Sequence, residues 1–230
     1  MQASMGQGGG LSYLEIAPPN APPDLPLVVA LHGRGASADD LAPLAPELDA
    51  THYRYIFPNG RLPVDLGGWF GFAWYNVGNQ AADLPGSRAA VEALLSELWA
   101  RTDLGPAQTV LLGFSQGAVL TLDVGLRSAE RFAGLIAMSG YLFEDDTLPA
   151  ALAGARDQRV LIVHGVADPV LPVDRGRAAR QALEAAGLRP EYHEFPMGHE
   201  ISAASVAVVR TFLHAVLPPG RSRQRRGPVL

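Results

Sequence analysis

The sequence predicts a single-domain α/β protein, with a mostly parallel central sheet covered by helices on both faces. Three observations predict it. Short runs such as Leu27-Val28-Val29-Ala30-Leu31 and Val160-Leu161-Ile162-Val163 are apolar without alternation, as in strands buried on both faces. Segments with helical spacing separate them, and strand and helix alternate almost throughout, the pattern that right-handed crossovers turn into a parallel sheet. With 230 residues, 48% hydrophobic and 18% charged, the chain can build one sizeable core.

In chain order, residues 1–24 read as a flexible leader, Gly- and Gln-rich at first and then Pro-rich from Pro18 to Pro23. The domain proper is expected over 25–217. Its first strand is Leu27–Leu31. A helix follows, starting after Ser37 and running through Asp49, and Tyr53–Phe57 is the next strand, stopped by Pro58-Asn59-Gly60. Arg88–Thr102 is a helix with Val91, Leu94, Leu95, Leu98 and Trp99 on one side. Thr109–Leu112 is a strand and Gln116–Ser128 a helix. Gly134–Met138 and Val160–Val163 are buried strands. Val173–Ala186 is a helix ended by Gly187, with Asp174 as its expected cap. Glu191–Phe195 is a last strand and Ile201–Val216 a last helix. Residues 218–230, with four arginines, read as a disordered basic tail.

Composition narrows the function. A net charge of −5 and a pI of about 5.6 give no reason to expect nucleic acid as a partner. The absence of cysteine excludes disulfides, thiolate catalysis and cysteine metal sites. No apolar run approaches the ~18 residues that span a bilayer, so stable membrane insertion is not expected. Nor does the N-terminus look like a secretory signal, and a cytoplasmic protein is the expectation.

Gly113-Phe114-Ser115-Gln116-Gly117 matches G-x-S-x-G, a weak signal by itself. Its setting between an apolar strand and a helix makes it a strand-turn-helix elbow, which lifts a serine Oγ above the sheet edge. A serine hydroxyl needs an imidazole to take its proton. Of the late histidines, His193 falls inside a strand and His214 inside the last helix. His199 follows Pro196-Met197-Gly198 in a loop that can reach over the sheet edge, and is the expected base. Asp168, just past a buried strand, is the expected acid. Asp174 is its rival, and Asp157 lies before the strand, at the wrong end. His199-Glu200 begins like the zinc motif H-E-x-x-H, but residue 203 is Ala, so no metal site is expected and no cofactor is called for. The loop Leu31-His32-Gly33-Arg34-Gly35 follows the first strand. With the Gln116 N–H, it is expected to complete an oxyanion hole through the Arg34 N–H, which flanking glycines leave free to turn inward.

With these residues placed, the chain resembles the phospholipase/carboxylesterase family of α/β-hydrolases, which includes acyl-protein thioesterases. The matching segments are Leu31 to Gly35, Gly113 to Ala118, His164-Gly165 with Asp168-Pro169-Val170, Gly198-His199-Glu200, and Arg131 to Gly140 after the elbow helix. The resemblance implies a triad of Ser115, Asp168 and His199, with Arg34 and Gln116 as oxyanion donors. It departs at Asn76, where the family's Trp-aromatic-Asp segment carries Asp, and at Arg34, where an apolar residue is frequent. Trp69, Phe72, Trp74 and Tyr75, in a long connection, are expected to wall a substrate channel. The same aromatic cluster leaves local packing or a homodimer contact open.

The function expected is hydrolysis of short to medium acyl esters through an acyl-enzyme, with a small-molecule ester as partner. Thioesterase action on acylated proteins and lysophospholipid deacylation use the same triad. A non-catalytic binding module on this fold would break the triad, which this chain keeps whole.

Overall fold

A computed structural model describes residues 1–65 and 67–220. The strands are β1 (Gln2–Gly8), β2 (Leu11–Ala17), β3 (Leu27–Leu31), β4 (Arg54–Pro58), β5 (Leu62–Asp65), β6 (Phe70–Ala73), β7 (Thr109–Phe114), β8 (Gly134–Met138), β9 (Val160–Gly165) and β10 (Glu191–Phe195). The helices are α1 (Ala38–Leu41), α2 (Leu44–Asp49), α3 (Gln80–Thr102), α4 (Gln116–Arg127), α5 (Leu148–Gly154), α6 (Asp174–Ala185) and α7 (Ala203–Val216). Among the described residues, the main sheet has eight strands in the order β1-β2-β4-β3-β7-β8-β9-β10. From β4 to β10 neighbouring strands run parallel, while β1, β2 and β4 pair antiparallel at one edge.

The apolar runs are buried on both faces because each contributes alternately to two cores. Val29, Leu31, Leu111, Leu135 and Ile162 face α3, α4, α5 and α6. Val28, Val110, Leu112, Ile136 and Val163 face α1, α2 and α7. The sandwich brings the loops that follow β3, β7 and β9 together at the C-terminal edge of the parallel strands.

The structure corrects four expectations. Residues 1–24 are not a flexible leader: β1 and β2 form a hairpin along the sheet edge. Gly9 and Gly10 both have positive φ (59° and 76°), which a two-residue hairpin turn of type I′ requires, and Tyr13 is buried beneath Gly6. The Gly-rich composition that reads as a flexible leader is turn chemistry and a close approach. Second, the helix expected after Ser37 and through Asp49 is two short ones, with Pro43 between them. Third, the helix expected from Arg88 begins at Gln80 and keeps Pro85 inside it. Burial of Leu84 and a hydrogen bond from the Ser87 hydroxyl to the Trp74 carbonyl anchor those extra turns. Asp174 opens α6 but does not cap it; its carboxylate pairs with Arg177 at 3.0 Å. The basic tail lies outside the described residues from position 221 onward. Among the described residues no helix is long and apolar enough to cross a membrane.

The tightest packing is where the first turn of α4 crosses β3. A Cβ on Gly117 would overlap the Leu31 carbonyl, a backbone group that cannot move aside. Gly117→Ala is therefore expected to destabilise by about 2–3 kcal/mol, a fall of roughly 5–10 °C in Tm for a chain of this size. Thermal melts of the variant against the parent check it.

Candidate active site

Three loops at the C-terminal edge of the sheet converge. The first is the turn between β7 and α4. Ser115 sits there at φ 56°, ψ −118°, a conformation costly for a non-glycine residue, so the surrounding structure must hold it. The Ser115 N–H donates to the Met138 carbonyl at 2.9 Å, tying the turn to β8. A Cβ on Gly113 would overlap the Gly117 carbonyl, so both glycines of the motif are demanded by backbone contact.

The second loop follows β9 and carries Asp168, 7% exposed. Its Oδ1 accepts the N–H groups of Val170 and Leu171, each at 2.8 Å. Its Oδ2 accepts from His199 Nδ1 at 2.7 Å. Burial would raise the pKa of this carboxyl, but the bonds from His199, Leu171 and Val170 outweigh it and hold the group below its ordinary value. Asp168 is thus kept ionised.

The third loop joins β10 to α7 and carries His199, whose ring lies 4.9 Å from that of Phe114. With Nδ1 donating to Asp168, Nε2 is the free acceptor, and it faces Ser115 Oγ at 2.9 Å. Serine, imidazole and carboxylate therefore form one hydrogen-bonded line. His193 is exposed on β10 beside Phe195, and His214 bonds Asp49 at 3.1 Å, so neither histidine belongs to that line.

Arg34 lies in the loop after β3, against the nucleophile: a Cβ on Gly33 would be 3.3 Å from Ser115 Cβ. Gln116 is the first residue of α4, at the helix's positive end. Neither backbone N–H has a hydrogen-bond acceptor among the described residues.

A cleft of about 600 Å³ opens over Ser115 and His199. Leu41, Val77, Phe114, Val170 and Ile201 make its apolar wall, and Arg34, Asp40 and Glu200 its charged margin. None of the four aromatics expected as a channel wall lines it. Trp74 and Tyr75 are buried in the core, at 0% and 3% exposure. Trp69, 63% exposed, donates from Nε1 to the Gly35 carbonyl at 3.0 Å. Phe72 exchanges backbone bonds with Gly35 and Ala36 at 2.7 and 2.8 Å. The β5–β6 hairpin is thus a buttress behind residues 33–36, and its aromatics pack or brace where a channel wall was expected. Asn76 donates from its backbone and side chain to Asp83, at 2.8 and 3.0 Å, which tethers the end of this segment to α3.

Sequence reasoning overlooks three polar side chains here. The Gln116 side chain accepts from Trp74 N–H at 3.0 Å and donates to the Tyr75 carbonyl at 2.8 Å, joining the elbow helix to the buttress. His164, wholly buried, donates from Nε2 to the Leu171 carbonyl at 2.8 Å, behind the Asp168 turn. His32 is buried behind the Arg34 loop. The histidines stand in the motifs quoted above, but a motif does not say which way a side chain turns.

Comparison with known proteins agrees with this architecture. The chain is 30% identical over 179 residues to acyl-protein thioesterase 1 of Kluyveromyces lactis, covering 71% of this chain and 78% of that protein. It is 32% identical over 172 residues to acyl-protein thioesterase 1 of Yarrowia lipolytica, covering 68% and 75%. The crystal structure of esterase PE8 superposes with a TM-score of 0.79 at 29% identity, over 94% of this chain and all of that one. A carboxylesterase from Mesorhizobium loti shares the fold, with a TM-score of 0.77 at 23% identity over 93% and 99%. The profile of the family described as Phospholipase/Carboxylesterase matches residues 11–217, and the chain belongs to that family of α/β-hydrolases.

Proposed function

We propose that the protein is a serine carboxylesterase that works through an acyl-enzyme. The observation that carries this reading is the line Ser115 Oγ, His199 Nε2, His199 Nδ1, Asp168 Oδ2, with contacts of 2.9 and 2.7 Å, opening into a cleft. Ser115 Oγ attacks the ester carbonyl carbon while its proton passes to His199 Nε2. The negative charge that forms on the carbonyl oxygen is met by the N–H groups of Arg34 and Gln116. Collapse of the tetrahedral adduct expels the alcohol, which takes the proton from the imidazolium. Water then repeats the sequence against the acyl-enzyme and releases the acid. Asp168 holds the Nδ1–H tautomer and offsets the imidazolium charge. A cleft with a short apolar wall fits short to medium acyl groups.

A second reading, thioesterase action on acylated proteins, is supported by the names of the relatives at 30% and 32% identity. Both reactions use the same nucleophile and the same oxyanion. They differ in the leaving group and acyl length, so substrate ranking separates them. Activity against acetyl, butyryl and octanoyl aryl esters, run beside a palmitoyl-thioester peptide, decides. A carboxylesterase prefers the short esters by kcat/KM, whereas preference for the thioester would replace this reading with the second.

Ser115→Ala is expected to abolish turnover and labelling by a fluorophosphonate while leaving Tm close to the parent's. A variant that still labels would remove Ser115 from the mechanism. Asp168→Asn keeps the shape but favours the wrong imidazole tautomer, and should lower kcat by about four orders of magnitude, as in other serine hydrolases. Stability supplies a second readout. A carboxylate with a depressed pKa stabilises the fold above its ordinary range, and that stabilisation is lost as pH falls through the lowered value. The Tm gap between the parent and Asp168→Asn should therefore hold steady down to about pH 5 and narrow progressively below it. A constant gap would mean that the carboxylate charge is not what the site stabilises.

A further inference from the structure

His32 lies at the end of β3, 1% exposed, directly behind the loop that carries Arg34. Both of its ring nitrogens are engaged. Nε2 accepts the Gly60 N–H at 2.9 Å, and since a backbone amide can only donate, this nitrogen carries no proton. The proton is therefore on Nδ1, which donates to the Gly33 carbonyl at 2.6 Å. Burial holds the imidazole below its ordinary pKa, against smaller opposing effects of the Gly33 carbonyl and Asp40, and so keeps the ring neutral. The Trp74 ring packs 5.2 Å away, and its Nε1–H donates to the His32 backbone carbonyl at 2.9 Å.

The Gly33 carbonyl and the Arg34 N–H belong to one peptide unit, and the chain contains no cis peptide among the described residues. In a planar trans unit these two groups point in opposite directions. Pinning the carbonyl inward, onto an imidazole proton, turns the Arg34 N–H outward, away from the core. Arg34 lines the cleft beside Ser115, and its N–H has no acceptor among the described residues. The Ala36 N–H adds a second bond to the same carbonyl at 3.3 Å. Donors on a carbonyl also polarise its peptide and strengthen the N–H at the other end.

We propose that the His32 side chain is a positioning residue for the transition state: it aims and polarises the Gly33–Arg34 peptide so that the Arg34 N–H meets the developing oxyanion. The inference rests on the reading of Arg34 N–H as an oxyanion donor. The Gly60 N–H fixes the imidazole tautomer that makes Nδ1 the donor, and His32 itself touches no substrate.

Two substitutions each keep one of the ring's two hydrogen bonds. His32→Asn places an amide nitrogen near the Nδ1 position, retaining a donor to Gly33 and losing the acceptor for Gly60. His32→Gln places an amide oxygen near the Nε2 position, retaining the acceptor and losing the donor. Both should lower Tm. His32→Gln should lose about tenfold to a hundredfold in kcat on an aryl acetate with KM within about twofold, because the contact is made only in the transition state. Its rate of labelling by a fluorophosphonate, whose phosphoryl oxygen enters the same site, should fall with kcat. His32→Asn, which keeps the donor to Gly33, should retain about tenfold more of the parent's kcat than His32→Gln does. Equal losses in the two variants that track Tm, a loss that sits in KM, or parental kcat in His32→Gln would each overturn the proposal. A measurement on the unsubstituted protein covers the case in which neither variant folds. On phosphonylation of Ser115, the Arg34 amide and His32 Nδ1–H resonances should both move downfield. Movement of Arg34 alone would overturn the role of His32 and leave the oxyanion reading standing. If neither resonance moves, that reading fails as well.

Discussion

Everything at this site depends on how closely α4 approaches β3. The first turn of α4 lies so near the Leu31 carbonyl that only glycine fits at 117, and the turn before it closes so sharply that only glycine fits at 113. Between them Ser115 is forced to φ 56°. That backbone holds the hydroxyl above the sheet edge, with the loop that follows β3 at its side. Were the helix an ångström further out, nothing would hold Ser115 in that conformation. The cost of the strained residue is carried by the surrounding core, where β3, β7 and α4 are almost entirely buried.

Around that fixed point the polar groups are ordered by burial. Asp168 is saturated by three donors, which leaves one imidazole orientation open to His199. His164 pins the same turn from beneath through the Leu171 carbonyl. On the opposite side the β5–β6 hairpin takes up the backbone groups of Gly35 and Ala36, while Trp74 and His32 fix the peptides before them. The amides of Arg34 and Gln116, beside the nucleophile, have no acceptor among the described residues.

The exposed hydrocarbon near the cleft belongs to other parts of the chain than the aromatic run suggests. Val77 and Val170 stand at its rim, with Trp69 and Phe70 on the hairpin tip, whereas the larger rings of Trp74 and Tyr75 serve the core. The cleft is lined by a few aliphatic side chains and by Arg34, Asp40 and Glu200. That balance of charge and modest apolar area differs from an aromatic tunnel.

The sequence by itself determined the alternation of strands and helices, the elbow at Ser115 and the order Ser115, Asp168, His199. Each of these is written in local chemistry: uninterrupted apolar runs, glycines two residues either side of a serine, a histidine in a loop before the last helix. It also marked the Arg34 loop, because a glycine-flanked turn after the first parallel strand must lie at the sheet's carboxyl edge. What only the tertiary structure decided is which way side chains turn once distant segments meet. The Gly-rich start reads as loose chain until Tyr13 needs a flat partner above it and Gly9-Gly10 supply a tight turn. The aromatics of 69–75 read as a pocket wall until Gln116 and His32, 40 or so positions away, claim the hydrogen bonds of Trp74 and bury it. Periodicity and motif report contacts within one segment. The direction of a buried side chain is set by partners that the chain brings together only on folding.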